Sequence, residues 1–238
     1  MMLEPALTEA MRPDGDETSY WAAVKVVQQR PAAKVWPELQ SLVISPEPEL
    51  RALVPDVLRR LGGKSQPFLQ ETVRLLRKML KVESSPLVLS AIASAFVDLG
   101  HKDVVELLLP LTHHESAEVR LAAVHGLLQA AKQVTPRFIE LTADPDDEVR
   151  SWTLFVLGTL AELGLRLDSM REAFAGRLED PHEEARAEAV LGLARFHDAR
   201  AVEPTKAGLE RGATQEHYAQ AAQILKAAGL MSVRAGGE

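Results

Sequence analysis

RLEDPHEEARAEAVLGLARF (177–196), TADPDDEVRSWTLFVLGTL (142–160) and LTHHESAEVRLAAVHGLLQA (111–130) are versions of one pattern. Each runs from a turn through an acidic start to Val-Arg or Ala-Arg, then to small and apolar residues. With the Val or Ala before the Arg as zero, apolar or small residues fall at 0, +4, +7, +8 and +11. That is one face of a helix of 3.6 residues per turn. The three sets are Val119, Ala123, Gly126, Leu127, Ala130; Val149, Thr153, Val156, Leu157, Leu160; and Ala185, Ala189, Gly192, Leu193, Phe196.

The pattern extends outward. Leu50, Val54, Val57, Leu58 and Leu61 fit it, as do Val88, Ile92, Ala95, Phe96 and Leu99. His217, Ala221, Ile224, Leu225 and Ala228 read as a degraded last copy. The copies start at 50, 88, 119, 149, 185 and 217, about 33 residues apart on average. Further helical segments lie between them, at 34–43, 67–81, 102–112, 135–142, 168–178 and 199–210, and a capping helix is expected over 18–29. A repeat of this length, helix after helix with no strand-like alternation, predicts stacked helical hairpins. Asp144-Pro145 and Asp180-Pro181 read as helix N-cap and first helical residue, with Glu183 completing a capping box and Ser45-Pro46 and Ser85-Pro86 as variants. Pro55, inside the segment 47–61, predicts a kink or restart.

Asp-Pro-x-x-Glu-Val-Arg at 144–150 resembles the second-helix start of HEAT repeats, most of all the phycobilisome-lyase-type HEAT-like repeat. The likeness covers roughly 34–228 and is sharp over 102–210. It implies an all-α, right-handed solenoid of about six hairpins, with the Arg-bearing helices on the concave side. It also implies a structural ladder joining repeats through Asp144, Arg150, Asp180 and Arg186. His114 before Arg120 and Ser45 before Arg51 stand where the ladder needs Asp, so the ladder is expected to break toward the N-terminus.

Composition narrows the function. The 238 residues carry 27 Lys+Arg, 34 Asp+Glu and no cysteine. Disulfides, thiolate metal sites and cysteine nucleophiles are excluded. The longest charge-free stretch, 84–97, is too short to span a bilayer. The opening MMLEPALTEAMRPDGDET lacks a basic start and an apolar block, so no secretory signal and no membrane are expected, and a cytoplasmic protein is. The segments 1–16 and 230–238 are polar and patternless and are expected to be disordered tails of a solenoid over 17–229.

No Gly-rich phosphate loop, Gly-x-Ser-x-Gly or His-Glu-x-x-His occurs, so no catalytic residue, cofactor or metal is assigned. His113-His114-Glu115 and His182-Glu183 invite comparison with the di-iron HEAT-like deoxyhypusine hydroxylase. They fall in turns or first helical residues, so capping is their expected role. The face opposite the core suggests more. Leu121, His125, Trp152, Phe155 and Leu191 fall in slots that should meet solvent, yet they are mostly apolar. Coverage by neighbouring helices is one reading of such a stripe. The other is a contact surface, and the expected function is a non-enzymatic scaffold binding a protein or peptide partner. The same stripe would also serve contact between two copies of the chain. A bilin-lyase-like or other cofactor-handling role is the alternative carried by the resemblance.

The charge is two-ended. Residues 51–81 hold eight bases against two acids, with Arg74, Arg77, Lys78 and Lys81 on one helix face; residues 138–188 hold 13 acids against five bases. The basic end could meet an acidic partner or a nucleic acid, but a net charge of −7 weighs against nucleic acid.

Overall fold

Hydrophobic period and turn chemistry produce the expected order of helices. The computed structural model describes residues 17–100, 103–211 and 215–232; of the tails expected over 1–16 and 230–238, all but residues 230–232 lie outside these. The described residues form helices and turns, without strands. They divide into two compact units between Leu127 and Leu128.

The first unit contains α1 (Glu17–Gln28), α2 (Ala32–Leu42), α3 (Pro48–Leu58), α4 (Leu69–Val82), α5 (Pro86–Leu99), α6 (Val104–Leu108) and α7 (Ala117–Gly126). A 3-10 turn, Leu109–His113, extends α6. The second helices of the hairpins, α3, α5 and α7, stack on one another. Helix α1 caps the row by packing on α3. It buries Val24 and Val27, the Tyr20 hydroxyl donates to Asp56 Oδ2 at 2.6 Å, and Gln28 Nε2 donates to the Asp56 carbonyl at 2.9 Å. Helix α3 runs unbroken through Pro55 and ends at Leu58, so the expected restart does not occur. A proline near a helix end removes one hydrogen bond from a segment about to stop, a smaller loss than in mid-helix.

The second unit contains α8 (Thr135–Leu141), α9 (Asp147–Glu162), α10 (Asp168–Ala175), α11 (Glu183–Arg195), α12 (Val202–Arg211) and α13 (Gln215–Ala227). Here α9, α11 and α13 stack, while α8, α10 and α12 each flank the second helix of their own hairpin. Gly192 on α11 lets the Phe174 ring of α10 press on the helix backbone, a place a methyl group could not share. Gly126 does the same for Leu108 in the first unit. In the last hairpin the roles reverse, and Gly208 on α12 receives the ring of Tyr218.

The turns correct the capping scheme. Helix α9 starts at Asp147, and its N-cap is Asp146, whose carboxylate accepts the Val149 N–H at 3.1 Å. Asp144 instead accepts the Asp146 N–H at 2.9 Å, bending the chain into the helix. Asp180 likewise accepts the His182 N–H at 3.0 Å; His182 is the N-cap position and Glu183 the first helical residue, so the capping box is not formed. Ser45 Oγ accepts the Glu47 N–H at 3.2 Å one residue before Pro48. Ser85 does precede α5 as N-cap with Pro86 next, but without a side-chain cap bond. Asp144, Asp180 and Ser45 thus belong to the turn, because each bonds an N–H two residues on rather than one in the first helical turn.

The ladder positions are built as follows. Arg150 Nε and Nη2 meet Asp180 Oδ2 and Oδ1 at 2.9 and 2.8 Å, and Nη1 donates to the Asp144 and Pro145 carbonyls at 2.9 and 3.1 Å. Arg186 turns back on the Asp180 carbonyl and pairs with Glu183. The fork is also present toward the N-terminus, at the repeat whose Ser45 predicts a break. Arg51 makes the same fork, with Nε and Nη2 at 2.8 and 2.9 Å from Glu83, and Nη1 on the Ser45 and Pro46 carbonyls. Glu83 occupies the slot that Asp144 and Asp180 hold in their repeats, one methylene longer.

Candidate binding cleft

The cleft begins with the start of α9. Once Asp146 caps the helix, Val149, Thr153, Val156 and Leu157 turn inward, as their spacing requires. Trp152 and Phe155 then share the opposite side, one turn apart. They are 42 % and 41 % exposed and meet edge to face, ring centroids 5.6 Å apart.

Helix α11 contributes Glu184 and Glu188, one turn apart, and α13 contributes His217. His217 Nε2 lies 3.1 Å from Glu188 Oε1 and 3.8 Å from Glu184 Oε1. The hydrogen bond to Glu188, against the opposing effect of burial, raises the His217 pKa above its ordinary value. Glu188 is only 5 % exposed, and its Oε2 is buried without a hydrogen-bond partner among the described residues. These side chains and Ser151 line a cleft of about 340 Å³. Ser151 Oγ donates to the Asp147 carbonyl at 2.8 Å and stands 3.1 Å from His182 Nδ1.

One ligand atom from each of Glu184, Glu188 and His217 falls within 4.8 Å of the others, close enough to share an ion. The sequence offered different pairs. His114 Nδ1 accepts the Ser116 N–H at 3.0 Å, and His182 is engaged with Ser151. In the last copy Ala221 and Leu225 are core residues as their spacing requires, but the first slot is filled by Tyr218, which is fully buried, and His217, expected there, faces the glutamates. The bulky ring at 218 decides this, because it fills the space over Gly208.

Other expected contact residues are distributed differently. Leu191 is a core residue, 3 % exposed, and Ala187 and Ala194 are buried with it. Helix α11 is the middle member of its row, and α9 and α13 cover both of its flanks. Leu121 is half-buried and His125 exposed, both on α7 of the first unit.

The basic end is substantially neutralised. Arg74, Lys78 and Lys81 are exposed, and Arg74 lies 3.3 Å from Glu71. Arg77 pairs with Asp103, Arg51 with Glu83, and Arg59 and Arg60 with Asp98. A larger open cleft of about 860 Å³ in the first unit is lined by Trp21, Lys25, Arg30, Arg59 and Arg60 among others. The Arg59 guanidinium sits over the Trp21 ring, 5.4 Å from its centroid, while also pairing with Asp98.

Comparison with known proteins agrees with this architecture. The sequence pattern of HEAT repeats matches residues 73–158. No curated protein matches the chain. Among solved structures, the X-ray structure of YibA from Escherichia coli superposes with a TM-score of 0.80 at 20 % identity, covering 96 % of this chain and 84 % of that one. An engineered protein gives a TM-score of 0.51 at 18 % identity, covering 92 % of this chain and 70 % of that one. At such identities the likeness is one of fold. Among the described residues no helix is long and apolar enough to cross a membrane. The chain has an all-α fold of HEAT-repeat hairpins.

Proposed function

We propose that the chain is a non-catalytic scaffold that binds a partner protein or peptide through the face of the second unit bearing Trp152 and Phe155. One observation carries this reading. Two large aromatic side chains stand on the solvent side of α9, each about two-fifths exposed, at the mouth of a cleft. An aromatic side chain buries roughly 150–250 Å². Covering the remainder of each would therefore remove on the order of 80 Å² from water, worth about 2 kcal/mol per ring. That is the scale of an interface anchor. HEAT folds commonly act as interaction scaffolds, which supports the reading without naming a partner. The basic segment 51–81 is the weaker surface, since its arginines already have carboxylates.

The test is affinity capture from the native host with wild type, Trp152→Ala and Phe155→Ala, each checked for helical content. The reading expects at least one protein held by wild type and lost from both variants. Recovery of the same proteins by all three would overturn it. Loss of only a second copy of the chain would assign the surface to self-association.

A further inference from the structure

We infer that the cleft between α9, α11 and α13 is a receptor for an organic cation: the guanidinium or ammonium of an arginine or lysine side chain on the partner. The inference rests on the scaffold reading and gives its contact a chemistry.

Three observations converge. First, Glu188 is nearly fully buried, and its Oε2 has no hydrogen-bond partner among the described residues. A buried carboxylate oxygen left bare is costly, and a donor in the cleft, best a charged one, relieves it once the Glu188 carboxylate turns to meet it. Glu184, one turn earlier and exposed, adds a second carboxylate at the mouth. Second, the same lining is partly aromatic. Trp152 and Phe155 line the same cleft, and ring faces attract cations within about 6 Å. Third, the described residues already make this kind of contact within the chain. Arg59 lies over Trp21 while its Nε donates to Asp98, so a ring and a carboxylate together hold a guanidinium.

Size and charge point the same way. A cleft of about 340 Å³ suits a side chain better than a bare ion. The segment 138–188, which supplies most of the lining, has 13 acids against five bases and would draw in a basic partner. The runner-up occupant is a divalent metal held by Glu184, Glu188 and His217. It would use the carboxylates and leave the two rings without a role.

The experiment is calorimetric titration of the full chain with N-acetyl-arginine amide, its neutral citrulline counterpart and zinc chloride, each separately. The arginine probe is expected to bind about tenfold more tightly than citrulline, the scale of a charge-assisted contact plus a cation–π contact. Glu188→Gln and Phe155→Ala should each weaken it about fivefold, whereas Glu210→Gln on α12 should not. The arginine–citrulline difference is read on unaltered protein, so it does not depend on how a variant folds. Equal binding of the two amides overturns the inference. So does unchanged affinity in a folded Glu188→Gln, or zinc binding that arginine amide cannot displace. If citrulline matches arginine while Trp152→Ala and Phe155→Ala still lose a protein, the cation chemistry falls and the scaffold stands. If arginine is selected while both variants keep every protein, the scaffold falls and the cation site stands.

Discussion

Replacing Arg150 by Met tests whether the ladder holds neighbouring hairpins together. Met keeps much of the apolar stem and removes the guanidinium. Two bonds to Asp180 are lost, at 2.9 and 2.8 Å, with two more to the Asp144 and Pro145 carbonyls. The Asp180 side chain is fully buried. Burial pushes its pKa up, but the bonds from Arg150 and from the His182 N–H outweigh that and hold it below the ordinary value. After the substitution Asp180 retains the His182 N–H and, 3.9 Å away, Arg177. Removing one partner from a buried pair costs about 3–5 kcal/mol, chiefly through the charge left behind. Urea unfolding of Arg150→Met should therefore show a loss of that size. Asp180→Asn combined with it should cost clearly less than the two singles added, because the second change removes the stranded charge. A loss below about 1 kcal/mol for Arg150→Met, or strict additivity, would refute the view that the fork carries the junction between α9 and α11.

The other fork predicts a pH window. The hydrogen bonds from Arg51, against burial, lower the Glu83 pKa from 4.5 to about 2. A depressed acid stabilises the fold above its unfolded pKa and loses that contribution as pH falls through the folded one. Between about pH 5 and 2, wild type should lose on the order of 3 kcal/mol that Glu83→Gln does not, measured as denaturant midpoints across that range; parallel profiles would remove Glu83 as the cause. Gly192→Ala would put a methyl group into the Phe174 ring. Overpacking of about 1–3 kcal/mol should exceed the helix-propensity gain of about 1 kcal/mol, so the melting temperature should fall. A rise would show that the ring yields freely.

Helical period, hairpin length and the fork arginines were legible in the sequence because each is set by residues within one hairpin. Trp152 and Phe155 were legible for the same reason, as their slots follow from the buried face of α9. Glu83 is not legible from the aspartate pattern, because a longer acid at the same slot reaches the same guanidinium. The role of Asp144 and Asp180 is not legible in sequence, because the Asp-Pro pair fits the turn as well as the helix start, and only backbone geometry separates the two.

What the sequence alone determined is thus the hairpin and its spacing, which are consequences of local hydrophobic pattern. The stacking of α9, α11 and α13 decided the rest. It covered Leu191, whose helical slot is the same as that of exposed Phe155, because a middle helix loses both flanks to its neighbours. It turned His217 outward, because the Tyr218 ring claimed the space over Gly208. It joined Glu184 and Glu188 to a histidine about thirty residues away, so that carboxylates and rings from separate hairpins meet at one cleft.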